Sequence, residues 1–401
     1  MSRDIIIVGA GIGGLATAAV LLQRGHRVRV YEQAPALGEI GAGIQISANA
    51  SRVLHGLGLE ESLSRTAVIP TAQHFRLYGS GDLVQEIPLG AAHERSHGAK
   101  YYHLHRADLH AVLAAKVREL DPDAVVLEAA AERFTETRDS VTVKFANGTT
   151  ASAEVLIGAD GIKSVIRAQI IGPTKAEFTG YVSWRAVVPS SRLPANYMER
   201  VSTNWMGPNA HVIVYYLRRG ELLNFVGLVE DDTWLDESWT VKAPWARLKT
   251  DFAPWHPKVQ LLIDAMDKDN CYRWAMYNRP PVTAWSTDRA TLLGDAAHPT
   301  LPFMAQGAAM AIEDAAIIAR ALEQESSPAA ALDLYQRSRY ERTARVQIGS
   351  NEMGKLFHLR TEDDLRRGFA GRDLAKERNA WLFSYDPWNA PLAARTEPVA
   401  N

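Results

Sequence analysis

The stretch IIIVGAGIGGLATAAVLLQRGHRVRVYE, residues 5–32, decides how the rest of the chain is read. Ile5 to Val8 carry the β-branched run of a buried parallel strand. Gly9, Gly11 and Gly14 follow in the spacing G-x-G-x-x-G. In that spacing the first glycine permits a tight turn, the second lets backbone approach a pyrophosphate, and the third lets a helix pack closely on the strand. The apolar segment that follows reads as the helix, whose N-terminus offers free N–H groups and a positive dipole end to phosphates. Arg27 to Tyr31 alternate as a second strand, and Glu32 stands where a carboxylate accepts hydrogen bonds from a ribose diol. The whole unit predicts binding of an ADP moiety. NAD and FAD both contain one, so the unit alone leaves open a dehydrogenase with an exchanging nicotinamide or a protein with a resident flavin.

The chain has 401 residues, 47% of them hydrophobic, with 44 basic and 46 acidic side chains for a formal net charge of −2. That length supports one large domain or two medium ones. The near-neutral balance and the absence of a basic cluster argue against a nucleic-acid partner. Cys271 is the single cysteine, which excludes an intrachain disulfide and a cysteine metal cluster, and no metal site is expected. The first strand begins by Ile5, with no room for a signal peptide before it, and the apolar stretch Leu15 to Leu22 is far too short to span a bilayer. A soluble cytoplasmic protein without a membrane partner is the expectation.

Texture changes along the chain predict an interrupted domain. Residues 101–120 read as a strand end followed by an amphipathic helix. Residues 141–161 read as a hairpin turning at Asn147-Gly148, then a buried strand ending at Ala159-Asp160-Gly161. From about 178 to 285, longer alternating strands rich in Trp and Tyr appear, as in YVSWRAVVP and HVIVYYLRRGELLNFVGLVE. The segment ATLLGDAAHPTLPFMAQGAAMAIEDAAIIARAL (290–322) then returns to strand, loop and helix. The expected organisation is a nucleotide-binding domain in two parts, 1–177 and 286–350, interrupted by a mostly antiparallel sheet domain at 178–285 and followed by a helical C-terminal region, 351–401.

The segment at 290–322 bears on the choice of cofactor. Asp295 ends an apolar strand, where a carboxylate can hold the hydroxyls of a ribityl chain. Gly307 and Ala308 open a helix whose N–H groups can stabilise the negative charge that collects on a reduced flavin. A nicotinamide enzyme has no need of this second site. Read alone, the segment is equally an ordinary βα unit with a Gly-Asp turn; paired with the first motif it favours flavin.

Three blocks, GAGIGG…YE, GADGIKSVIR (158–167) and GDAAHPTLPFMAQGAAMAIEDA (294–315), together resemble the single-component (group A) FAD-dependent aromatic hydroxylases. The segments GEIGAGIQISANASRVL (38–54), LHRADLHAVL (104–113) and WLFSYDPW (381–388) are similar to the branch containing salicylate hydroxylase, 3-hydroxybenzoate 6-hydroxylase and 6-hydroxynicotinate 3-monooxygenase. The resemblance implies a mixed α/β fold with a Rossmann-like FAD-binding domain interrupted by a substrate-binding sheet domain. It implies a tightly but non-covalently held FAD, NADH or NADPH as transient electron donor, and O2 activated as a flavin C4a-hydroperoxide. The partner it implies is a small hydroxy-aromatic carboxylic acid, handled by a monomer or homodimer.

By the same resemblance Gly9, Gly11, Gly14, Glu32 and Gln33 hold the ADP half, and Gly43 and Gln45 lie in a loop that approaches the flavin. Arg106 reaches the FAD phosphate or ribityl region, with an ion pair to Asp108 as the alternative. Asp160 lies in a motif that serves both FAD and the nicotinamide, Asp295 binds the ribityl chain, and Gly307 and Ala308 face the ring.

Hydroxylation by an electrophilic oxygen needs an electron-rich ring, and a phenol becomes far richer when a base removes its proton. On the strand AHVIVYYL (210–217), His211, Ile213 and Tyr215 share one face. His211 and Tyr215 match polar active-site positions of the family and are the catalytic candidates; a hydrogen-bonded sheet histidine and a packed tyrosine are the alternatives. His298 reads as structural. Arg185 is either a partner for a substrate carboxylate or a sheet-surface charge. The hydroxynicotinate enzymes carry histidines at the positions aligned with Ser47 and Phe303, and the 3-hydroxybenzoate enzymes a glutamine at Pro302. The loop LPFMAQGAA (301–309) is most similar to salicylate hydroxylases, in which the carboxylate-bearing carbon is attacked and CO2 leaves. A NAD-dependent dehydrogenase and a non-enzymatic flavin-binding protein are the more distant alternatives.

Overall fold

The computed structural model describes residues 2–38, 42–231 and 242–394. Parts of three expectations therefore lie outside the described residues: 39–41 within the 38–54 motif, 232–241 within the sheet domain, and 395–401 of the C-terminal region. The opening stretch folds as strand Asp4–Val8, helix Ile12–Gln23 and strand Arg27–Tyr31. Asp4–Val8 is the middle strand of a five-stranded parallel sheet in the order Ala290–Leu292, Val155–Gly158, Asp4–Val8, Arg27–Tyr31, Val125–Val126. Because all five run the same way, the loops after residues 8, 158 and 292 emerge together at the carboxyl edge, where open α/β sheets place their ligands. Segments far apart in sequence become neighbours for that reason.

The Asn147-Gly148 hairpin forms between Val141–Phe145 and Thr150–Ala153, joined by Ala131–Glu136. The helix after the 101–105 segment runs Arg106–Leu120.

A second sheet has seven strands in the order Tyr272–Asn278, Glu177–Pro189, Leu222–Glu230, Ala210–Leu217, Ser202–Gly207, Ala72–Leu77, Leu83–Pro88. All its pairs are antiparallel except Ser202–Gly207 with Ala72–Leu77. The expected sheet boundary at 178 is thus too narrow, because two strands come from before residue 89. Those strands are short, and their non-local partner lies far along the chain, a pairing no local pattern announces. The side chains of Val212, Val214, Leu223 and Phe225 pack under the helices Trp245–Asp251 and Pro257–Asp264. Met206, Ile213, Tyr215, Val226 and Leu228 face the other way, toward Leu301, Phe303 and the long helix Pro328–Phe357.

That helix is 30 residues long, so the expected boundary at 350 falls inside it. Gly349 and Gly354 weaken it locally, but the space is required. A Cβ at Gly354 would lie 2.8 Å from the Phe303 ring, and one at Gly349 3.2 Å from Met304 Sδ. Beyond it come Glu362–Phe369, Leu374–Arg378 and a π turn at Asn379–Phe383. Between the two sheets, Gly43–Ile46 pairs antiparallel with Tyr102–His105, setting Gln45 beside His103.

Candidate active site

Two of the three motif glycines are required by the protein itself. Gly9 has φ +104°, and a Cβ there would meet the Ala159 carbonyl oxygen at 2.5 Å. A Cβ on Gly14 would lie 2.0 Å from the Gly9 oxygen. Gly11 is different: a Cβ there would meet nothing within 4 Å. It caps the helix Ile12–Gln23 without a side-chain hydrogen bond, so the space in front of that helix end suits a pyrophosphate. Glu32 accepts from the amides of Ala10 (2.8 Å) and Ala34 (2.9 Å), which fixes its carboxylate beside the glycine turn. Gln33 is exposed just past the strand end.

Asp160 is turned into its own loop. Its carboxylate accepts from Ser164 Oγ and from the amides of Val165 (2.8 Å) and Ile166 (3.3 Å), capping the short helix Val165–Ile170. From that helix Arg167 donates to the carbonyls of Ala296 (2.7 Å) and Ala297 (3.0 Å), stapling the second motif loop to the third.

Asp295, in that third loop, is surrounded by protein yet keeps its side chain open to solvent, as a group lining a cleft does. Enclosure pushes its carboxyl up, and the Arg106 guanidinium draws it back down. Arg106 is likewise enclosed and feels the Asp295 charge. The alternative partner, Asp108, is instead gripped by Arg218 through two bonds, Nε–Oδ2 2.9 Å and Nη2–Oδ1 2.8 Å. A Cβ on Gly307 would stand 4.0 Å from Asp295 Oδ1, so the start of the helix Gly307–Gln324 abuts this carboxylate. No side chain caps that helix, and Gly307 and Ala308 are half-buried at its mouth.

A buried ionic cluster braces the same helix. Arg339 Nη2 lies 2.8 Å from Glu313 Oε2, and its Nε 2.6 Å from Asp314 Oδ1. Asp314 also takes His298 Nε2 (2.8 Å) and the Gly294 amide (3.0 Å). Glu313 takes Arg342 and Asn49, and Asn49 continues to Gln306 (3.0 Å), the residue before the helix. The sequence reading placed His298 as structural but missed Glu313, Asp314 and Arg339. The signal was present: two adjacent acids in an otherwise apolar helix demand buried cations.

The inner face of the seven-stranded sheet is built by register. Cross-strand pairing aligns Tyr215 with Asn224, Ile213 with Asn204 and with Val226, Val226 with Arg185, and Leu228 with both His211 and Ser183. His211, Tyr215, Ser183, Arg185, Asn204 and Asn224 therefore share the inner face. Several polar atoms there are buried without a partner among the described residues: His211 Nε2, Ser183 Oγ, Arg185 Nε, Asn204 Nδ2 and Asn224 Nδ2, as are both nitrogens of His103, whose ring packs on Tyr215. Unsatisfied groups of this kind are rare in native proteins and call for an explanation. Arg185 is not on the sheet's outer surface. It lies in a recess over the Trp274 ring (5.0 Å), close enough to Tyr215 and Arg106 to feel both.

Gly43 donates its amide to Asn224 Oδ1 (2.7 Å), and a Cβ on it would lie 2.6 Å from the Tyr215 ring. Gln45 is buried, accepting from Tyr101 Oη (2.7 Å) and donating to Ser202 Oγ (3.4 Å). Burial pushes the Tyr215 hydroxyl well up and the adjacent His103 imidazole down to about 3, so both are neutral near pH 7. His211 is fully buried between Phe303 and Phe357, and burial, with His358 beside it, holds its imidazole well below the usual range. Its Nδ1 lies 2.7 Å from His358 Nε2. Ser47 Oγ is engaged with Asn49 Oδ1 and Gln306 Nε2. Sequence reasoning did not single out His103, Asn204, Asn224 or His358, whose place at the site depends on pairing and packing.

The donor groups are an open glycine turn and helix end that could hold phosphates, a carboxylate that could hold a polyol, an uncapped helix that could face a ring edge, and a set of buried polar atoms on the inner sheet face. The chemistry of these residues fits a flavin dinucleotide. A family model described as FAD binding domain matches residues 2–349. The chain is 37% identical to a 6-hydroxynicotinate 3-monooxygenase of Pseudomonas fluorescens over 98% of this chain and 97% of that protein. It is 38% identical to a 3-hydroxybenzoate 6-hydroxylase of Polaromonas naphthalenivorans (strain CJ2), over 96% of each chain. A solved salicylate hydroxylase substrate complex superposes with TM-score 0.81 at 26% identity, covering 96% of both chains.

Proposed function

The chain belongs to the family of FAD-dependent aromatic hydroxylases, and from that premise we propose that it hydroxylates a small hydroxylated aromatic carboxylic acid, with O2 as oxidant and NADH or NADPH as transient donor. The observation that carries the substrate class is the set of unpartnered polar atoms on the inner sheet face, with Arg185 among them. A hydroxy acid answers that set. Its carboxylate pairs with the guanidinium, its hydroxyl meets the base, and its ring packs against Phe303 and Tyr215.

Bound FAD supplies the two-electron chemistry and the activation of O2. The chain's own residues do the rest. Gly9, Gly11, Gly14 and Glu32 hold the ADP half; Arg106 and Asp295 hold the middle; Gly307 and Ala308 present amides to the ring; Gly43 and Gln45 close over it. Asp160 acts one step back, by shaping the loop that Arg167 ties to Asp295's turn. His211 Nε2 takes the substrate hydroxyl proton, and Tyr215 orients the ring from the same face. Within the class, a salicylate-type substrate stands first, with loss of CO2 as the outcome to score. Phe303 gives an apolar wall beside His211, which suits an all-carbon ring better than a pyridine nitrogen. The 3-hydroxybenzoate and 6-hydroxynicotinate types are the alternatives.

The test is a panel of salicylate, 3-hydroxybenzoate and 6-hydroxynicotinate, scored for NAD(P)H consumption together with product identity, in wild type and His211→Ala. Wild type is expected to form a hydroxylated product from one of them. His211→Ala is expected to retain FAD and flavin reduction, to slow hydroxylation by about 10²–10⁴-fold, and to form less product per NAD(P)H oxidised. An FAD-loaded variant with wild-type coupling and turnover removes His211 from the reaction.

A further inference from the structure

We infer that His358 and Glu230 form a proton path from His211 to solvent and set the tautomer that makes His211 Nε2 the base; the inference rests on the role proposed for His211 above. Three segments distant in sequence bring the path together. His211 lies on the strand Ala210–Leu217, His358 directly follows the helix Pro328–Phe357, and Glu230 ends the strand Leu222–Glu230. The backbone of Asn209 holds the ends in place: its amide donates to the His358 carbonyl (3.3 Å), and its carbonyl accepts from the Glu230 amide (2.8 Å). His211 Nδ1 to His358 Nε2 is 2.7 Å, and His358 Nδ1 to Glu230 Oε1 is 2.9 Å. Exposure rises along the path in the required order. His211 is at 0%, and the side chains of His358 and Glu230 are at 1% and 43%.

The direction of each bond follows from the surface inward. An ionised carboxylate only accepts, so His358 Nδ1 carries the proton and donates it. Its Nε2 is then a lone pair, which accepts from His211 Nδ1–H. His211 Nε2 is left as a lone pair, and among the described residues it is the one ring nitrogen of the two histidines without a partner. An exposed glutamate thereby decides the chemistry of a buried imidazole. The groups facing the path are few in kind. Phe303 and Phe357 flank the His211 ring, and Met206 and Leu228 are its cross-strand neighbours. Tyr181 packs its ring 5.2 Å from His358, and exposed Arg360 acts on Glu230.

The transfer balances without any redox step. The substrate O–H bond breaks as His211 Nε2–H forms. His211 Nδ1–H breaks as His358 Nε2–H forms, His358 Nδ1–H breaks as a Glu230 O–H forms, and that proton leaves to water. The substrate becomes a phenolate and solvent gains one proton. The reverse sequence, returning a proton to product, restores both tautomers.

The test uses FAD-loaded protein labelled with ¹⁵N-histidine, with wild type, Glu230→Gln and His358→Ala compared. In wild type the spectra are expected to show His211 and His358 both protonated at Nδ1 and bare at Nε2. Glu230→Gln, nearly isosteric and at the surface, is expected to abolish that preference at His358. With whichever of salicylate, 3-hydroxybenzoate or 6-hydroxynicotinate gives product in wild type, both variants should keep flavin reduction. They should lose about 10–100-fold in hydroxylation rate, by analogy with removing the hydrogen-bond partner that orients a metal-bound histidine. Added imidazole should restore part of the rate in His358→Ala, which a purely structural role would not allow. A His211 protonated at Nε2 in wild type, or tautomers and rates unmoved in Glu230→Gln, overturns the path. If His211→Ala loses coupling while His358→Ala and Glu230→Gln do not, the path alone fails. If His211→Ala keeps coupling, the base assignment itself fails.

Discussion

Arg339 and Asp314, both without solvent exposure, meet at 2.6 Å between Nε and Oδ1, tying the helix Pro328–Phe357 to the helix that opens at Gly307. A guanidinium in that position also neutralises Glu313 at 2.8 Å. Removing it leaves Asp314 with only His298 for charge compensation. Breaking one partner of a buried ion pair costs roughly 3–5 kcal/mol. Arg339→Met is therefore expected to lose stability of that order, read by chemical denaturation of the FAD-loaded protein. A loss below about 1 kcal/mol would mean that the cluster does not brace the helix.

The same carboxylate gives an acid signature. Burial pushes the Asp314 carboxyl up, but His298 and Arg339 pull it further the other way, down to about 2 from an ordinary value of 3.8. The folded pKa is below the unfolded one, so its stabilisation is complete above about pH 4 and disappears as pH falls toward 2. Asp314→Asn is expected to be less stable than wild type at pH 7, with a shallower decline of stability between pH 4 and 2. Parallel curves for the two proteins in that window would rule out Asp314 as a source of the acid lability.

Gly11 and Gly14 separate ligand space from packing space. Gly14→Ala places a methyl group 2.0 Å from the Gly9 oxygen and should prevent the turn from forming, giving little folded protein. Gly11→Ala meets no protein atom and has an ordinary backbone angle, φ −69°. It should fold with a normal melting curve as apoprotein and bind FAD at least about tenfold more weakly, a difference of about 1.4 kcal/mol. Unchanged FAD affinity for Gly11→Ala, by titration of apoprotein, would show that the pyrophosphate does not pass over this residue.

Glu32→Ala should also weaken FAD binding. The carboxylate already accepts two backbone amides, so it is fixed in place before a ribose diol arrives. Loss of a hydrogen bond to a charged group is worth roughly 1.5–3 kcal/mol, or about a 10–150-fold rise in Kd. Equal affinities in wild type and a folded variant would remove Glu32 from the cofactor site.

The sequence by itself determined the strand–turn–helix–strand unit at the start, the strand, loop and helix of residues 290–322, and the alternation that puts His211 and Tyr215 on one face. These features are carried by local spacing: glycines three and five positions apart, an acid at a strand end, a period of two along a strand. What only the tertiary structure decided depends on which distant segments meet. Parallel pairing of Ile5 with Val155 and of Leu156 with Ala290 sets three separate loops side by side. Pairing of Ser202–Gly207 with Ala72–Leu77 adds two early strands to the later sheet. Cross-strand register turns Ser183, Arg185, Asn204 and Asn224 toward one recess, and a one-residue slip would have turned them all away. The contact of His211 with His358 is of the same kind, made by a strand and a helix end that no local pattern relates. Local chemistry is written in neighbouring residues, whereas the partners of a buried polar atom are set by long-range packing.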